Sequence, residues 1–286
     1  MGARHMVQTN KNLNLLKNHM SESHVFYVSS HGSADDHWFN WFAKALNAHP
    51  EILIYFGEAV RQKYLQERSR KERPDLKQFT SFLADLGRAY QATGDCYSYR
   101  AYQLEELLET FQNKVRFINL VRHPYCWLHF YITWRCTNMG MPDGATGPLD
   151  HEWSVVRHDI LSTFKLKPYT RDDVEVWSSY QGMLILNRMI SDLHLNVKNY
   201  CLEDVVQEPE LFNNIIGYLT HGRIQFTKPL LDIVYSWVYT PFRDGAKKRV
   251  LPHEEYAQWP DWKKEAFEKI VNNEPRSMFE QYGYKL

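Results

Sequence analysis

Short apolar runs alternate along the chain with stretches in which apolar residues recur at helical spacing. Asp36 to Ala48 is such a helical stretch, and Asp35 or Asp36 is a suitable residue to begin it. Strands that alternate with helices predict an α/β fold, with a parallel central sheet flanked by helices in a single domain. The apolar runs predict four buried strands, at 24–29, 51–56, 115–121 and 196–201.

The remaining segments follow the same alternation. A short strand is predicted at 95–99, and loops rich in Gly, Pro or basic residues at 138–150 and 239–252. Residues 1–6 are expected to be a cloning remnant, which leaves a domain at 7–286. Further helices are predicted at 57–70, 76–92, 101–112, 124–137, 172–193, 209–220 and 262–282, the last ended by Gly283.

Composition narrows the possible functions. Lys and Arg together number 34, as do Asp and Glu, so the sequence predicts no general nucleic-acid binding. No apolar run approaches the roughly 20 residues of a membrane helix, and no signal-peptide core is present. The four cysteines form no CxxC pair and the 13 histidines form no HExxH pattern. We therefore expect a cytoplasmic protein with reduced thiols, no membrane span and no metal.

The loop after the first strand is a candidate anion site. Residues 30–36 contain Gly32 and lead directly into a helix, whose first backbone N–H groups and positive dipole end attract anions. The loop lacks the GxxxxGK[ST] pattern of a Walker A motif. An ordinary strand-to-helix connection is the alternative interpretation.

Val25 to Pro50 resembles the opening of the PAPS-dependent sulfotransferases. In that family a strand leads into a [K/R]-S-G-T-T-W-like loop and then a helix that ends in Leu-x-x-His-Pro, which Leu46 to Pro50 matches. Ser33 then replaces the family's cation, and acids occupy two positions of the loop. The resemblance implies cofactor contacts at Gly32, Ser33, Ala34, Asp35, Asp36, His37 and Trp38.

Val115 to Arg135 resembles the family's second cofactor element, in which a strand ends in Arg-x-Pro and enters a helix. The resemblance implies that Arg122 holds the 3′-phosphate of the nucleotide, as a forked guanidinium does well. Phe130 stands where the family has a serine, and the adjacent His129 is expected to supply the missing donor. The alternative for Arg122 is a surface ion pair.

Two later segments extend the resemblance to nearly the whole chain. Glu203-Asp204-Val205 and Pro209 match a strand–Glu-Asp-Leu–helix unit, for which we expect an architectural role. The basic segment 242–249 is similar to the loop that closes over the 3′-phosphate, which implies contacts from Arg243, Gly245 and Lys247; a solvated basic loop is the alternative. Tyr282-Gly283-Tyr284 matches the family's terminal Gly-Tyr.

The family implies a P-loop-kinase-like sulfotransferase fold, the donor PAPS and the product PAP. The expected reaction moves a sulfuryl group to a hydroxyl or amine of a small-molecule or carbohydrate acceptor. Glu58 is similar in place to the base of carbohydrate-type members, and His37 and His31 are the next acid–base candidates. Aromatic residues in 125–153 and 235–242 either line an acceptor cleft or belong to the core.

Two other functions compete with this one. A catalytically inactive binding module of the same fold is favoured by the two acids and the missing cation of the first loop. A P-loop phosphotransferase is disfavoured, because the Walker lysine and the hydroxyl that follows it are absent.

Overall fold

A computed structural model gives the fold of the protein. It describes residues 24–30, 37–57, 76–87, 89–97, 99, 107–138, 174–191, 198–238, 252–271 and 274–286. The helix predicted at 57–70 and the loop predicted at 138–150 lie almost entirely outside these ranges. Within the described helices, none is both long and apolar enough to cross a membrane.

Five parallel strands form one sheet in the order β2-β3-β1-β4-β5. This sheet, with helices packed around it, confirms the predicted α/β class. The strands are β1 (His24–Ser30), β2 (Ile52–Phe56), β3 (Ala92–Tyr97), β4 (Val115–Val121) and β5 (Lys198–Cys201).

Ten α-helices lie wholly in the described ranges. Residues 107–111 are also helical, within the helix predicted at 101–112, and lead into a 3-10 turn at Gln112–Lys114 before β4. The first four are α1 (His37–Asn47), α2 (Leu76–Leu86), α3 (Pro124–Asn138) and α4 (Val174–Ser191). The remaining six are α5 (Leu202–Val205), α6 (Pro209–Leu219), α7 (Lys228–Ser236), α8 (Pro252–Gln258), α9 (Asp261–Ile270) and α10 (Glu274–Gln281).

Two predicted helices are wrong in part. The helix predicted at 76–92 ends at Leu86, and Ala92 instead opens β3, which is buried between β1 and β2. The terminal helix predicted at 262–282 is two helices, α9 and α10. Pro275 lies in the first turn of α10, where its missing N–H and fixed φ are tolerated, whereas the interior of one long helix would not accept it.

Apolar side chains cover both faces of the sheet. Along β1, Phe26 and Val28 join a core with α1, α6 and α7, while Val25 and Tyr27 join a second core with α2. Successive side chains of a strand point to opposite faces, so a strand buried on both faces is apolar throughout. This accounts for the continuous apolar run that predicted β1.

The turn after β2 is fixed by a buried carboxylate. Gly57 has φ +69°, and its amide donates to Oδ1 of Asp95 at 2.7 Å. The Tyr99 hydroxyl donates to the other oxygen of the same carboxylate, and Asp95 is fully buried. The Tyr97 ring lies directly over Gly57, in the space that a β-carbon would occupy.

We expect Gly57→Ala to destabilise the protein more than Gly222→Ala, by about 1–3 kcal/mol. Gly222 has φ +77° with open space around it, so its substitution measures the cost of the left-handed conformation alone, about 1–2 kcal/mol. Gly57→Ala adds the collision with Tyr97. Chemical denaturation measures both free energies of unfolding, and equal losses would contradict the close packing at Gly57.

Candidate functional site

The sheet topology defines one crevice for a ligand. β1 and β4 are neighbours at the centre of the sheet. The strand that follows β1 in the chain, β2, lies at one edge of the sheet, and the strand that follows β4, β5, lies at the opposite edge. Ligands of open α/β sheets bind at such a switch point, outside the carboxyl ends of the strands. Ser30 at the end of β1 pairs with Leu120 of β4, so both strands end at this crevice.

Arg122 occupies the end of β4 at this switch point. Its side chain is buried, and its guanidinium carbon lies 4.8 Å from the centre of the Trp38 ring. Trp38 is the second residue of α1, so the cation and the first turn of that helix lie side by side. The Phe130 ring of α3 lies 5.8 Å from the same carbon, which gives the guanidinium an aromatic surround.

Glu203, the second residue of α5, holds the exit of β4 in place. Its Oε1 accepts from the His123 amide at 3.0 Å and lies 3.8 Å from Nε of Arg122. Its Oε2 lies 2.6 Å from the Tyr284 hydroxyl, which is also 2.9 Å from the Val121 carbonyl oxygen. These contacts agree with the architectural role predicted for Glu203 and join the C-terminal segment to the candidate site.

Only Arg122 of the Arg122–His123 pair carries charge at neutral pH. Burial lowers the pKa of His123 to about 4, which keeps its imidazole neutral. Burial also lowers the pKa of Arg122 from its ordinary value, and the Glu203 charge opposes that shift; an arginine stays protonated in proteins. The positive potential at the end of β4 therefore comes from one guanidinium and the N-terminus of α1.

His129 of α3 pairs with a carboxylate. Its Nδ1 lies 2.8 Å from Oε2 of Glu255, whose other oxygen accepts from Nε1 of Trp259 at 2.8 Å. Burial acts to raise the pKa of Glu255, but the bonds from His129 and Trp259 outweigh it and lower that pKa. The phosphate contact predicted for His129 stays a prediction, and the structure shows that it would have to coexist with this pair.

Some of the other predicted site residues lie in the described ranges, and the rest lie outside them. Trp38 and Arg122 are brought together, and their contacts to a cofactor stay a prediction. The backbone of His37 begins α1, so it lies at the helix N-terminus as predicted. Ten predicted residues lie outside the described residues: His31, Gly32, Ser33, Ala34, Asp35, Asp36, Glu58, Arg243, Gly245 and Lys247.

Sequence reasoning missed the contacts that hold Arg122. Its stacking on Trp38 and the link from Glu203 to Tyr284 join residues far apart in the chain. The terminal Gly-Tyr match was the available signal for Tyr284, but no motif indicated which residues its hydroxyl would contact. In the described part of the chain, no group of His, Cys, Asp and Glu side chains is arranged to hold a metal ion.

Tyr284→Phe is expected to lower the free energy of unfolding by about 1–3 kcal/mol, because the part-buried Glu203 carboxylate and the buried Val121 carbonyl lose the hydroxyl that they share. Tyr282→Phe is the matched control, since the backbone carbonyl of Tyr282 accepts the Cys201 thiol and a change of its ring leaves that bond intact. We expect the control to stay within about 0.5 kcal/mol of the wild type in a denaturant titration. Equal losses in the two variants would contradict the role of the Tyr284 hydroxyl.

No family model and no curated protein matches this chain. Among solved structures, it is similar to a sulfotransferase domain from the Synechococcus PCC 7002 olefin synthase, at 15% identity and a TM-score of 0.43, covering 92% of this chain and 95% of that one. A sulfotransferase domain from the curacin biosynthetic pathway has 13% identity, a TM-score of 0.39 and coverages of 92% and 98%. A sulfotransferase from Alicyclobacillus acidocaldarius has 11% identity, a TM-score of 0.40 and coverages of 77% and 93%.

Each of these TM-scores lies below 0.5, so no property of those domains is transferred to this chain. The parallel sheet and its switch point, rather than these likenesses, support the predicted fold class.

Proposed function

We propose that this protein is a sulfotransferase that binds PAPS in the crevice between β1 and β4. The acceptor is a hydroxyl or amine of a small molecule or carbohydrate. One observation carries the proposal: Arg122 is fixed at the topological switch point against the first turn of α1. That placement coincides with the position where the sequence resemblance puts the 3′-phosphate contact.

The geometry suits a ligand with two separate anionic groups. A guanidinium forks onto the oxygens of one phosphate, and the N-terminus of a helix such as α1 attracts another anion. Trp38 holds the guanidinium by its ring face, and Glu203, at 3.8 Å from Nε, holds it by charge. Both restraints reduce the side-chain entropy that a binding arginine must lose, which favours a preorganised anion site.

PAPS supplies the activated sulfuryl group. In the proposed reaction the acceptor oxygen or nitrogen forms a bond to sulfur as the bond from sulfur to the 5′-phosphate oxygen breaks, and PAP leaves. Glu58 takes the acceptor proton, and His37 at the start of α1 neutralises the charge that develops on the leaving oxygen. Arg122 holds the nucleotide so that the two reacting atoms stay in line.

A thermal-shift series with PAP and ATP tests the donor. A ligand that binds only the folded state stabilises it by about 2.7 kcal/mol at one hundred times its Kd, so PAP is expected to raise the Tm and ATP to leave it unchanged. Stabilisation by ATP alone would favour a phosphotransferase, and no response to PAP would contradict the proposal.

Transfer from radiolabelled PAPS to a panel of hydroxyl and amine acceptors tests catalysis. Labelled product is the expected result. If the protein binds PAP but transfers no label to any acceptor, the proposed enzyme activity is wrong and the protein is a binding module of the same fold.

A further inference from the structure

A second group of cations lies at the opposite edge of the sheet from the crevice. His24 opens β1, Arg116 is the second residue of β4, and Lys198 opens β5. Lys198 pairs with Ile118, so Lys198 and Arg116 point to the same face of the sheet, where Tyr218 of α6 packs. We call His24, Arg116, Lys198, Tyr218 and His221 the amino-edge cluster.

Two ring systems hold the cluster together: the Tyr218 ring and the stacked imidazoles of His24 and His221. Nζ of Lys198 lies 4.0 Å from the centre of the Tyr218 ring, and the guanidinium carbon of Arg116 lies 5.0 Å from it. Nε of Arg116 donates to Nε2 of His221 at 3.2 Å. The imidazoles of His24 and His221 stack with their centres 4.5 Å apart, so His24, His221 and Arg116 form one contiguous group, and Tyr218 contacts both Arg116 and Lys198.

The turn after α6 holds His221 in this position. His221 has φ +54°, a left-handed conformation that is strained for a residue with a side chain, and Gly222 follows with φ +77°. The amide of Gly222 donates to the Gly217 carbonyl, which closes the end of α6 and directs the His221 ring toward His24.

Positive charge dominates the electrostatics of the cluster. The pKa of His24 is lowered to about 4. Burial is the largest cause, and the nearby charges of His221, Arg223 and Arg116 lower it further. Burial also lowers the pKa of His221, and the charges of Arg116 and Arg223 lower the same pKa further. Among the described residues, every charged group that acts on these two imidazoles is cationic.

Two other arginines among the described residues have a carboxylate beside them. Arg122 faces Glu203, and Arg276 pairs with Glu268. Within the described ranges, no carboxylate lies within ion-pair distance of Arg116 or Lys198. The C-terminus of α6 contributes about half a negative charge, which does not balance two cationic side chains.

We propose that the amino-edge cluster is a binding site for a tetrahedral oxyanion, phosphate or sulfate. Arg116 and Lys198 supply the charge, and His24 supplies a ring N–H donor at Nε2. His221 keeps both ring nitrogens against Arg116 and holds that guanidinium in place. Nε2 of His24 is buried with no hydrogen-bond partner among the described residues, so a bound oxygen would give it one.

The site is separate from the donor crevice and does not depend on the proposed sulfotransferase activity. Arg116 and Arg122 lie six positions apart at opposite ends of β4, which is about 20 Å at the rise of an extended strand. An oxyanion bound at one end therefore does not touch the other, and the two sites can be tested one at a time.

Histidine side-chain NMR measures binding at the cluster directly. The ring signals of His24 and His221 are titrated with sodium sulfate and, separately, sodium phosphate, with sodium chloride holding the ionic strength constant. We expect saturable shifts of both rings and a rise in the pKa of both imidazoles in the bound state, so that binding tightens as the pH falls toward that pKa. The tighter of the two anions identifies which of them the cluster prefers.

Variants assign the response to the cluster. Arg116→Ala is expected to weaken binding about tenfold or more, because it removes a charge-assisted donor. Lys198→Ala, at an exposed position, is expected to weaken it about threefold, which provides a second test if Arg116→Ala fails to fold. Lys77→Ala on α2, which packs on the opposite face of the sheet, is the charge-matched control and should bind as the wild type does.

Arg122→Ala separates the two sites, since it should leave the responses of His24 and His221 intact while it weakens PAP binding. Shifts that do not saturate, or that chloride reproduces, would overturn the proposal. Equal affinity in the wild type, Arg116→Ala and Lys198→Ala would also overturn it.

Discussion

Arg122→Ala is expected to weaken the binding of PAP by about 10²–10³-fold. A guanidinium that forks onto a phosphate makes two charge-assisted bonds, each worth about 1.5–3 kcal/mol. Arg122 is already buried and fixed by Trp38 and Glu203, so little of this energy is spent on ordering the side chain. Isothermal titration calorimetry with PAP measures the loss.

Two variants control for charge and for folding. Arg122→Lys keeps the charge but loses the fork, so we expect an intermediate loss of about tenfold. Arg276→Ala removes another arginine that pairs with a carboxylate, Glu268, and should leave PAP affinity unchanged. If Arg122→Ala binds PAP as tightly as the wild type while remaining folded in a thermal melt, Arg122 does not hold the nucleotide.

His37→Ala is expected to lower turnover by about 10²–10⁴-fold, with little loss of PAP affinity, because an acid–base partner contributes on this scale. In the proposed reaction, the bound donor favours the cationic form of the imidazole that acts on the leaving oxygen. The wild-type rate should therefore depend on a group that titrates between about pH 6 and 7.5, and this dependence should vanish in the variant.

Glu58→Gln is expected to lower turnover on the same scale if Glu58 takes the acceptor proton. Single-turnover assays with saturating PAPS separate this chemical step from binding. Normal turnover in His37→Ala would assign the acid to His31 or to a lysine such as Lys247, and normal turnover in Glu58→Gln would exclude Glu58 as the base.

The strands of the sheet could be predicted where a run of apolar residues marks them. β1 and β4 are mainly apolar because both faces of the sheet are covered, and their bounds follow the sequence closely. β3 carries no such pattern. Its Thr93 donates to the Leu83 carbonyl, and a β-carbon at Gly94 would lie 2.6 Å from the carbonyl oxygen of Phe26. Those contacts depend on distant residues, so the sequence predicted only the end of β3, as a strand at 95–99, and assigned Ala92 to the preceding helix.

The candidate site also has a part that the sequence predicted and a part that it did not. Arg122 stands in a short motif at the end of a clear strand, and the sequence alone was enough to single it out. Its surroundings arise from folding: Glu203 meets Tyr284 across 81 residues, and Tyr284 reaches the Val121 carbonyl across 163. The spacing of residues along the chain contains no trace of either contact.

Comparing PAP with adenosine 5′-monophosphate, in the wild type and in Arg122→Ala, tests the central claim most directly. The two ligands differ only in the 3′-phosphate, so calorimetry on all four combinations isolates the coupling between that phosphate and Arg122. We predict that the wild type binds PAP about 10²–10³-fold more tightly than the monophosphate, and that Arg122→Ala binds the two alike. Equal affinity of the wild type for both ligands, or an unchanged preference in Arg122→Ala, would contradict the assignment of Arg122 to the donor site.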